Sequence, residues 1–253
     1  MARLDYLLKR ISEAPRLDFG TIFSDSIELF KKTWVYGFLY YVIILIISLG
    51  ISFFTNPTYL VMIRNLENPE IWSDPSVFDG SSVGLYLLMT FVGSFVTASL
   101  SILLLSGFLR IVRNIDHSQE PDASDLFYYF KSDYIFKAMA LAVATFGIAI
   151  LALILCIFPI IYVAVGMTLC TFVFAFNPDL TLGEIIKVAF TLGHKKWGIT
   201  MGLLIVAGLL STIIGLLMCI VGIFLTASFT VLPSYFVYKS VIGFDHIENS
   251  EVQ

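Results

Sequence analysis

Charge is scarce in this chain: only 13% of its 253 residues are Asp, Glu, Lys or Arg. Soluble domains carry about 25% charged residues, so a soluble globular protein is excluded. The net charge of −4 comes without any basic tract, which removes nucleic acid from the expected partners. Cysteine is confined to Cys156, Cys170 and Cys219, with no CxxC spacing and no histidine close in sequence. Disulfides and metal sites are therefore not expected, and each cysteine is read as a small hydrophobe that packs. The histidines are His117, His194 and His246, widely separated. No HExxH and no nucleophile with a base beside it can be drawn from them. No catalytic residue, cofactor or metal is expected, and the chain is read as non-enzymatic.

Apolar residues fill the space that charge leaves. They make up 58% of the chain, and the mean hydropathy is +0.90. Four apolar stretches run approximately over 34–54, 83–109, 138–176 and 198–238. Runs such as Val42 to Ile47 do not alternate with polar residues, so the spans are helices and not barrel strands. The last two stretches, at about 40 residues and 1.5 Å per residue, are twice the thickness of a bilayer core and must fold back. This divides the chain into six expected spans: 34–54, 83–109, 138–156, 159–176, 198–219 and 222–238. The turns fall near Pro159 and Gly222. An amphipathic segment over 1–16 precedes the membrane domain of 17–243, and a polar tail covers 244–253. The first span begins too late for a cleavable signal and is expected to stay inserted.

Every Lys and Arg except Arg64 falls on one face of a six-crossing arrangement. Cytoplasmic loops are rich in Lys and Arg, so both termini are expected in the cytoplasm, with the acidic segment Thr55–Ser82 outside. Within that segment Tyr59–Leu66 could lie on the outer surface, anchored by Trp72.

Three polar-aromatic ramps lead into the apolar stretches: Asp18 to Trp34, Asp122 to Lys137, and Thr181 to Trp197. The first carries Ile22, Phe23, Ile27, Phe30 and Trp34 at helical spacing, and the third repeats the design with Leu182, Ile185, Ile186, Ala189 and Phe190. Thr181-x-x-Glu184 is a capping-box signature, and superposing Trp34 on Trp197 brings Asp18 over Thr181. The middle ramp has no clear register. Lysines beside aromatic rings suit the membrane interface, so Trp34, Lys31, Lys32, Lys131, Lys137, Lys195, Lys196 and Trp197 are the expected interface residues. The expected fold is thus an all-α integral membrane protein of six transmembrane helices in three hairpin units, each preceded by a cytoplasmic amphipathic interfacial helix.

The ramps "DFGTIFSDSIELFKKTW" and "LTLGEIIKVAFTLGHKKWG", each followed by a hairpin, resemble bacterial six-helix membrane proteins of the YciC type. They also resemble the membrane domain attached to some glycerophosphodiester phosphodiesterases. The resemblance spans Asp18 to Gly243 and implies a location in the bacterial inner membrane. In those enzymes catalysis belongs to a separate soluble domain, so the resemblance supplies no catalytic residue.

All six expected spans lack Asp, Glu, Lys, Arg and His. Such residues mark proton paths, ion sites and voltage sensors, so those functions are not expected. Small and hydroxylated residues recur instead at helix-packing spacing: Gly93, Thr97 and Ser101, then Gly198, Gly202, Ser211 and Thr212, then Thr226. They are read as packing positions, with a hydroxyl-lined solute path between the second, fifth and sixth spans as the alternative. Pro233 is expected to kink the sixth span. The function expected is an envelope scaffold, assembly factor or membrane subunit that meets lipid, a protein partner or further copies of itself through its interfacial helices. The alternative is a channel or facilitator for a neutral or lipid-like solute.

Overall fold

The computed structural model describes residues 2–55, 80–155, 157–218 and 221–244. The expected surface helix Tyr59–Leu66, Arg64, Trp72, Cys156, Cys219, His246 and most of the polar tail lie outside those residues. Among the described residues every regular element is a helix and there is no strand.

Helix α1 covers Ala2–Ser12. Helix α2 runs unbroken over Phe19–Thr55. Its start is set by Asp18, whose carboxylate accepts hydrogen bonds from the Thr21 N–H at 2.8 Å and the Thr21 hydroxyl at 2.9 Å. Those two bonds hold the exposed Asp18 carboxyl below its ordinary value. No proline stands between Phe19 and Thr55, so nothing interrupts the helix at Lys31–Trp34. The first ramp and first span are therefore one rod, which corrects the expectation of a separate interfacial helix there. At 37 residues it is about 55 Å long, well beyond the bilayer core.

Helix α3, Gly80–Asp116, is equally long and returns beside α2. Before Ser132 the middle ramp holds no α-helix. It is a 3₁₀ segment, Ala123–Phe127, capped when Asp122 accepts the Ser124 N–H at 2.9 Å. Helix α4 then begins directly at Ser132 and reaches Leu155.

Helix α5 covers Ile157–Phe176 and helix α6 covers Leu182–Lys195. The capping box forms as expected: Glu184 accepts the Thr181 N–H at 2.8 Å while its own N–H donates to the Thr181 hydroxyl. Those bonds from Thr181 hold the exposed Glu184 carboxyl below its usual range. Helix α6 turns back along α5, with Leu180 beside Asn177 at one end and His194 beside Tyr162 at the other. The chain breaks at Lys196, and helix α7 follows over Trp197–Leu217.

The stretch 222–238, expected as one span, is divided. Helix α8 covers Val221–Thr226, a 3₁₀ segment covers Ala227–Thr230, and helix α9 covers Leu232–Val241. Pro233 stands in the first turn of α9, where its missing N–H would have had no helical partner. It begins a helix where a kink within one was expected. Gly243 closes α9 in the left-handed region at φ 75°, a conformation glycine adopts without a Cβ penalty.

Among the described residues five helices are long and apolar enough to cross a membrane: Phe19–Thr55, Gly84–Asp116, Ser132–Leu155, Pro159–Phe176 and Trp197–Leu217. The chain is thus an all-helical protein with the composition of an integral membrane protein.

Burial is uneven along these helices. Leu103 to Val112 of α3, Val165 to Phe176 of α5 and Leu232 to Val241 of α9 are mostly buried. The opposite ends of the same elements, and of their neighbours, expose Phe54, Leu88, Leu155 and Leu217. In water such exposure would oppose folding, whereas hydrocarbon is as apolar as leucine and exacts no such penalty.

Candidate functional site

Three places gather groups that could recognise something: the polar end of the bundle, the α2–α3 cleft, and the junction of α5, α6 and α7.

At the polar end several ionisable residues are tied to partners. Asp116, whose side chain is 13% exposed, accepts the Lys239 ammonium at 2.6 Å and the Tyr235 hydroxyl at 2.7 Å. Asp125 accepts Arg110 and Asn114, each at 3.0 Å, and the Arg110 guanidinium lies 4.0 Å from the centre of the Tyr128 ring. Buried Asn177 donates to the Tyr238 hydroxyl at 2.6 Å and accepts from Arg3 at 3.2 Å. Arg3 also pairs with Asp179 at 2.7 Å. Around these bonds Phe176, Tyr235, Tyr238 and Phe244 pack ring against ring. Satisfied charge pairs of this kind hold elements together. Among the described residues no cluster of three or more His, Cys, Asp or Glu could hold a metal ion.

The expected hydroxyl stripe is not one path. Gly93 and Thr97 face α2, where with Ser48, Ser52, Thr55, Thr90 and Ser94 they line a cleft of about 340 Å³. Gly93 lets α3 approach so closely that a Cβ there would stand 2.4 Å from the Thr55 hydroxyl oxygen. Ser101 is half-buried and outside that lining. Thr226 donates its hydroxyl to the Ser211 carbonyl at 2.8 Å, which ties α8 to α7. Thr212 points outward, bonded to Gly208 of its own helix. Gly198 has open space around it, and Gly202 makes an ordinary contact with Phe19. Of the residues read as packing positions, Gly93 and Thr97 serve the contact of α3 with α2, and Ser211 and Thr226 that of α7 with α8.

The expected interface residues are also scattered. Lys31, Lys32 and Trp34 are exposed along the middle of α2. Lys131 sits 4.5 Å from the Tyr128 ring centre, and Lys137 donates to the Pro178 carbonyl. The third group alone forms a local constellation. Lys195 donates to the Ser12 carbonyl and Lys196 to the Pro15 carbonyl at 2.5 Å, so both hold the link between α1 and α2. Burial, and after it the charge of Lys195, holds Lys196 below the ordinary lysine value. The Trp197 indole N–H donates to the Tyr162 carbonyl at 3.2 Å, and its ring stacks on Tyr162. The Tyr162 hydroxyl meets Nδ1 of His194 and donates when that nitrogen is unprotonated. A cleft of about 360 Å³ opens here, lined by Tyr162, Gly166, Phe190, Thr191, Gly193 and His194. Tyr162 gives no sign of this role in sequence, since it stands in an apolar run more than thirty positions before His194. Only the antiparallel return of α6 brings the two together.

Comparison with family models, with curated proteins and with solved structures yields no match.

Proposed function

We propose that the chain is a non-enzymatic integral membrane protein that serves as a scaffold, assembly factor or membrane subunit. It works through the charged and aromatic end of its bundle, at the cytoplasmic face of a bacterial inner membrane. The carrying observation is the division of the molecule. One end holds the paired charges and buried aromatic rings, and the other exposes charge-free apolar helix to its surroundings. Such an end offers a firm surface for lipid headgroups or a protein partner, while the exposed helices suit hydrocarbon.

In this reading the chain crosses six times, the last as the interrupted run of α8, the 3₁₀ segment and α9. The 21 residues from Val221 to Val241 extend about 30 Å if mostly helical. The interruption is tolerated because it is covered by protein: Ser228 and Phe229 are buried, and Tyr41 donates its hydroxyl to the Ala227 carbonyl at 3.3 Å. Leu155→Cys and Leu217→Cys, at exposed helix ends, test the crossings in a chain whose native cysteines are replaced by alanine. Both should react with an impermeant thiol reagent applied from the outer side. Protection of either removes its pair of crossings. Gly222 is unsuitable for the purpose, since a Cβ there would meet the Met218 side chain at 2.3 Å.

Native mass spectrometry of protein extracted with its surrounding lipid, read beside solute flux in liposomes, tests the function. Bound lipid, a partner or added subunits, without flux, is the expected outcome. A lone, lipid-free monomer that moves a neutral solute would reverse the reading in favour of a facilitator. The α2–α3 cleft would then be its path, and Thr97→Leu should abolish the flux.

A further inference from the structure

Helix α5 lies between two helices of opposite character. On one flank α4 runs antiparallel to it, beginning where Lys137 donates to the Pro178 carbonyl. From Phe136 to Leu155 the exposed residues of α4 are apolar, with Val143 59%, Ile150 48% and Ile154 75% exposed. That face extends about 28 Å, close to the thickness of a bilayer core.

On the other flank α6 also runs antiparallel to α5, from Leu180 beside Asn177 to His194 beside Tyr162. A Cβ on Gly193 would stand 3.1 Å from the Gly166 backbone, so the two helices touch main chain to main chain. The exposed residues of α6 are Gly183, Lys187, Thr191, His194 and Lys195, and none of them is a large apolar side chain. Helix α1 accompanies α6. Arg3 pairs with Asp179 at one end, and the Ser12 carbonyl accepts from Lys195 at the other. The exposed residues of α1 include the charged Asp5, Lys9 and Glu13.

We propose that α6 lines a water-filled vestibule, open to the cytoplasm, that descends beside α5 as far as the Tyr162–His194 pair. The proposal rests on the six-crossing reading above, in which α5 spans the bilayer with Asn177 at its cytoplasmic end. Tyr162 then stands about 22 Å deep, and about 8 Å from the outer end of α5 at Ile157. Val143 is six residues past Lys137, and Lys187 is six residues past Thr181. The two therefore lie at one depth on different flanks of α5, one in a wholly apolar stripe and the other charged.

Hydrocarbon suits the first and excludes the second. A charged side chain at membrane depth faces the bundle interior or a water-filled cavity, and Lys187 is exposed on the surface of its helix. Farther along, Lys195 and Lys196 hold the Ser12 and Pro15 carbonyls at their own level, so the polar link between α1 and α2 reaches that depth too. Water entering from the cytoplasm hydrates these faces while α4 stays among acyl chains. The open space of about 360 Å³ beside Tyr162, Phe190, Thr191 and His194 is the inner end of the vestibule. Such a recess lets a polar stretch of a partner chain enter the depth of the membrane without touching acyl chains, as an assembly factor requires.

The test uses the full chain in liposomes, with native cysteines replaced by alanine and one nitroxide label at Val143→Cys, Ile150→Cys, Lys187→Cys or Thr191→Cys. All four positions are exposed, so the labels require no repacking. Oxygen concentrates in hydrocarbon and a nickel chelate stays in water, so the ratio of their collision rates reports the medium around each label. The oxygen-to-nickel ratio at Val143 and Ile150 should exceed that at Lys187 and Thr191 about tenfold, because a polar chelate is excluded from hydrocarbon. A nickel-rich environment at Val143 overturns the proposal, since α4 and α6 would then both stand in the cytoplasm. An oxygen-rich environment at Thr191 overturns it equally, since lipid would then cover α6. Thr191→Cys should react with an impermeant thiol reagent from the cytoplasmic side, and reaction from the outer side alone sinks the stated opening. Leu155→Cys separates the vestibule from the reading beneath it. Protection of Leu155 from the outer side removes the crossing and the vestibule together. Reaction at Leu155 with equal ratios on α4 and α6 removes the vestibule alone.

Discussion

Gly107→Ala is expected to destabilise the protein by about 3 kcal/mol, near the upper end for a single added methyl group in a packed interior. The Cβ would stand 2.3 Å from the Leu126 carbonyl oxygen, 2.6 Å from its carbon and 2.7 Å from the Asp125 oxygen. These are backbone atoms, so no side-chain rotation relieves the clash. The 3₁₀ segment Ala123–Phe127 would have to withdraw from α3. Withdrawal strains the bonds of Asp125 to Arg110 and Asn114 and opens the site of Leu126, which is fully buried. Gly147→Ala is the matched control. Nothing lies within 4 Å of a Cβ there, and alanine in a helix interior is favoured over glycine by about 1 kcal/mol. Thermal unfolding in detergent should show a large fall in midpoint for the first variant and none for the second. Equal midpoints would mean that the contact of α3 with the 3₁₀ segment does not persist in the protein.

Asp116→Leu is the second large loss, expected at about 2–3 kcal/mol. Removing the carboxylate strands the Lys239 ammonium and the Tyr235 hydroxyl, which approach it at 2.6 and 2.7 Å. Breaking a fully buried pair costs about 3–5 kcal/mol; Lys239 is 36% exposed, so water recovers part of that. The penalty lies in the uncompensated partner and not in the lost attraction alone, and a second substitution makes that visible. Asp116→Leu with Lys239→Met should recover more than half of the loss, because the stranded charge goes with it. A double variant as unstable as the sum of the two singles would show that the groups act independently.

Both variants probe contacts that sequence reasoning does not reach. Asp116 ends α3 and Lys239 lies in α9, more than a hundred positions away. Nothing in either segment names the other. Gly107 looks like one more small residue in an apolar helix, yet its partner is the main chain of the middle ramp. The ramps themselves are partly legible. Asp18 and Thr181 cap helices because a short oxygen-bearing side chain ahead of a helical stripe takes up free N–H groups wherever it occurs. The path of the chain beyond each cap is not legible. Local pattern does not decide whether an amphipathic stretch joins the apolar helix after it, as at Lys31–Trp34, or folds back on the helix before it, as α6 does.

The hydroxyl residues teach the same point. Gly93, Thr97, Ser211 and Thr226 sit at helix-packing intervals, and spacing specifies a helix face but not the neighbour that face will meet. The structure gives the first two to α2 and ties the last two together. Pro233 likewise has its effect set by where the helix starts. The run breaks upstream at Ala227–Thr230, beneath α2, and proline then occupies a first turn that suits it.

By itself the sequence determined the helical membrane class, the scarcity of charge in the apolar runs, and the positions of the two strongest caps. Those come from composition, run length and backbone valence, which act locally and need no partner. Tertiary structure alone decided that His194 and Trp197 meet Tyr162, and that the polar end is sealed by Asp116 and Asn177. It also decided that the last apolar run is interrupted. Each of these depends on which surfaces of distant helices are brought into contact, and close approach at residues such as Gly93, Gly107 and Gly193 sets that choice only once the helices have packed.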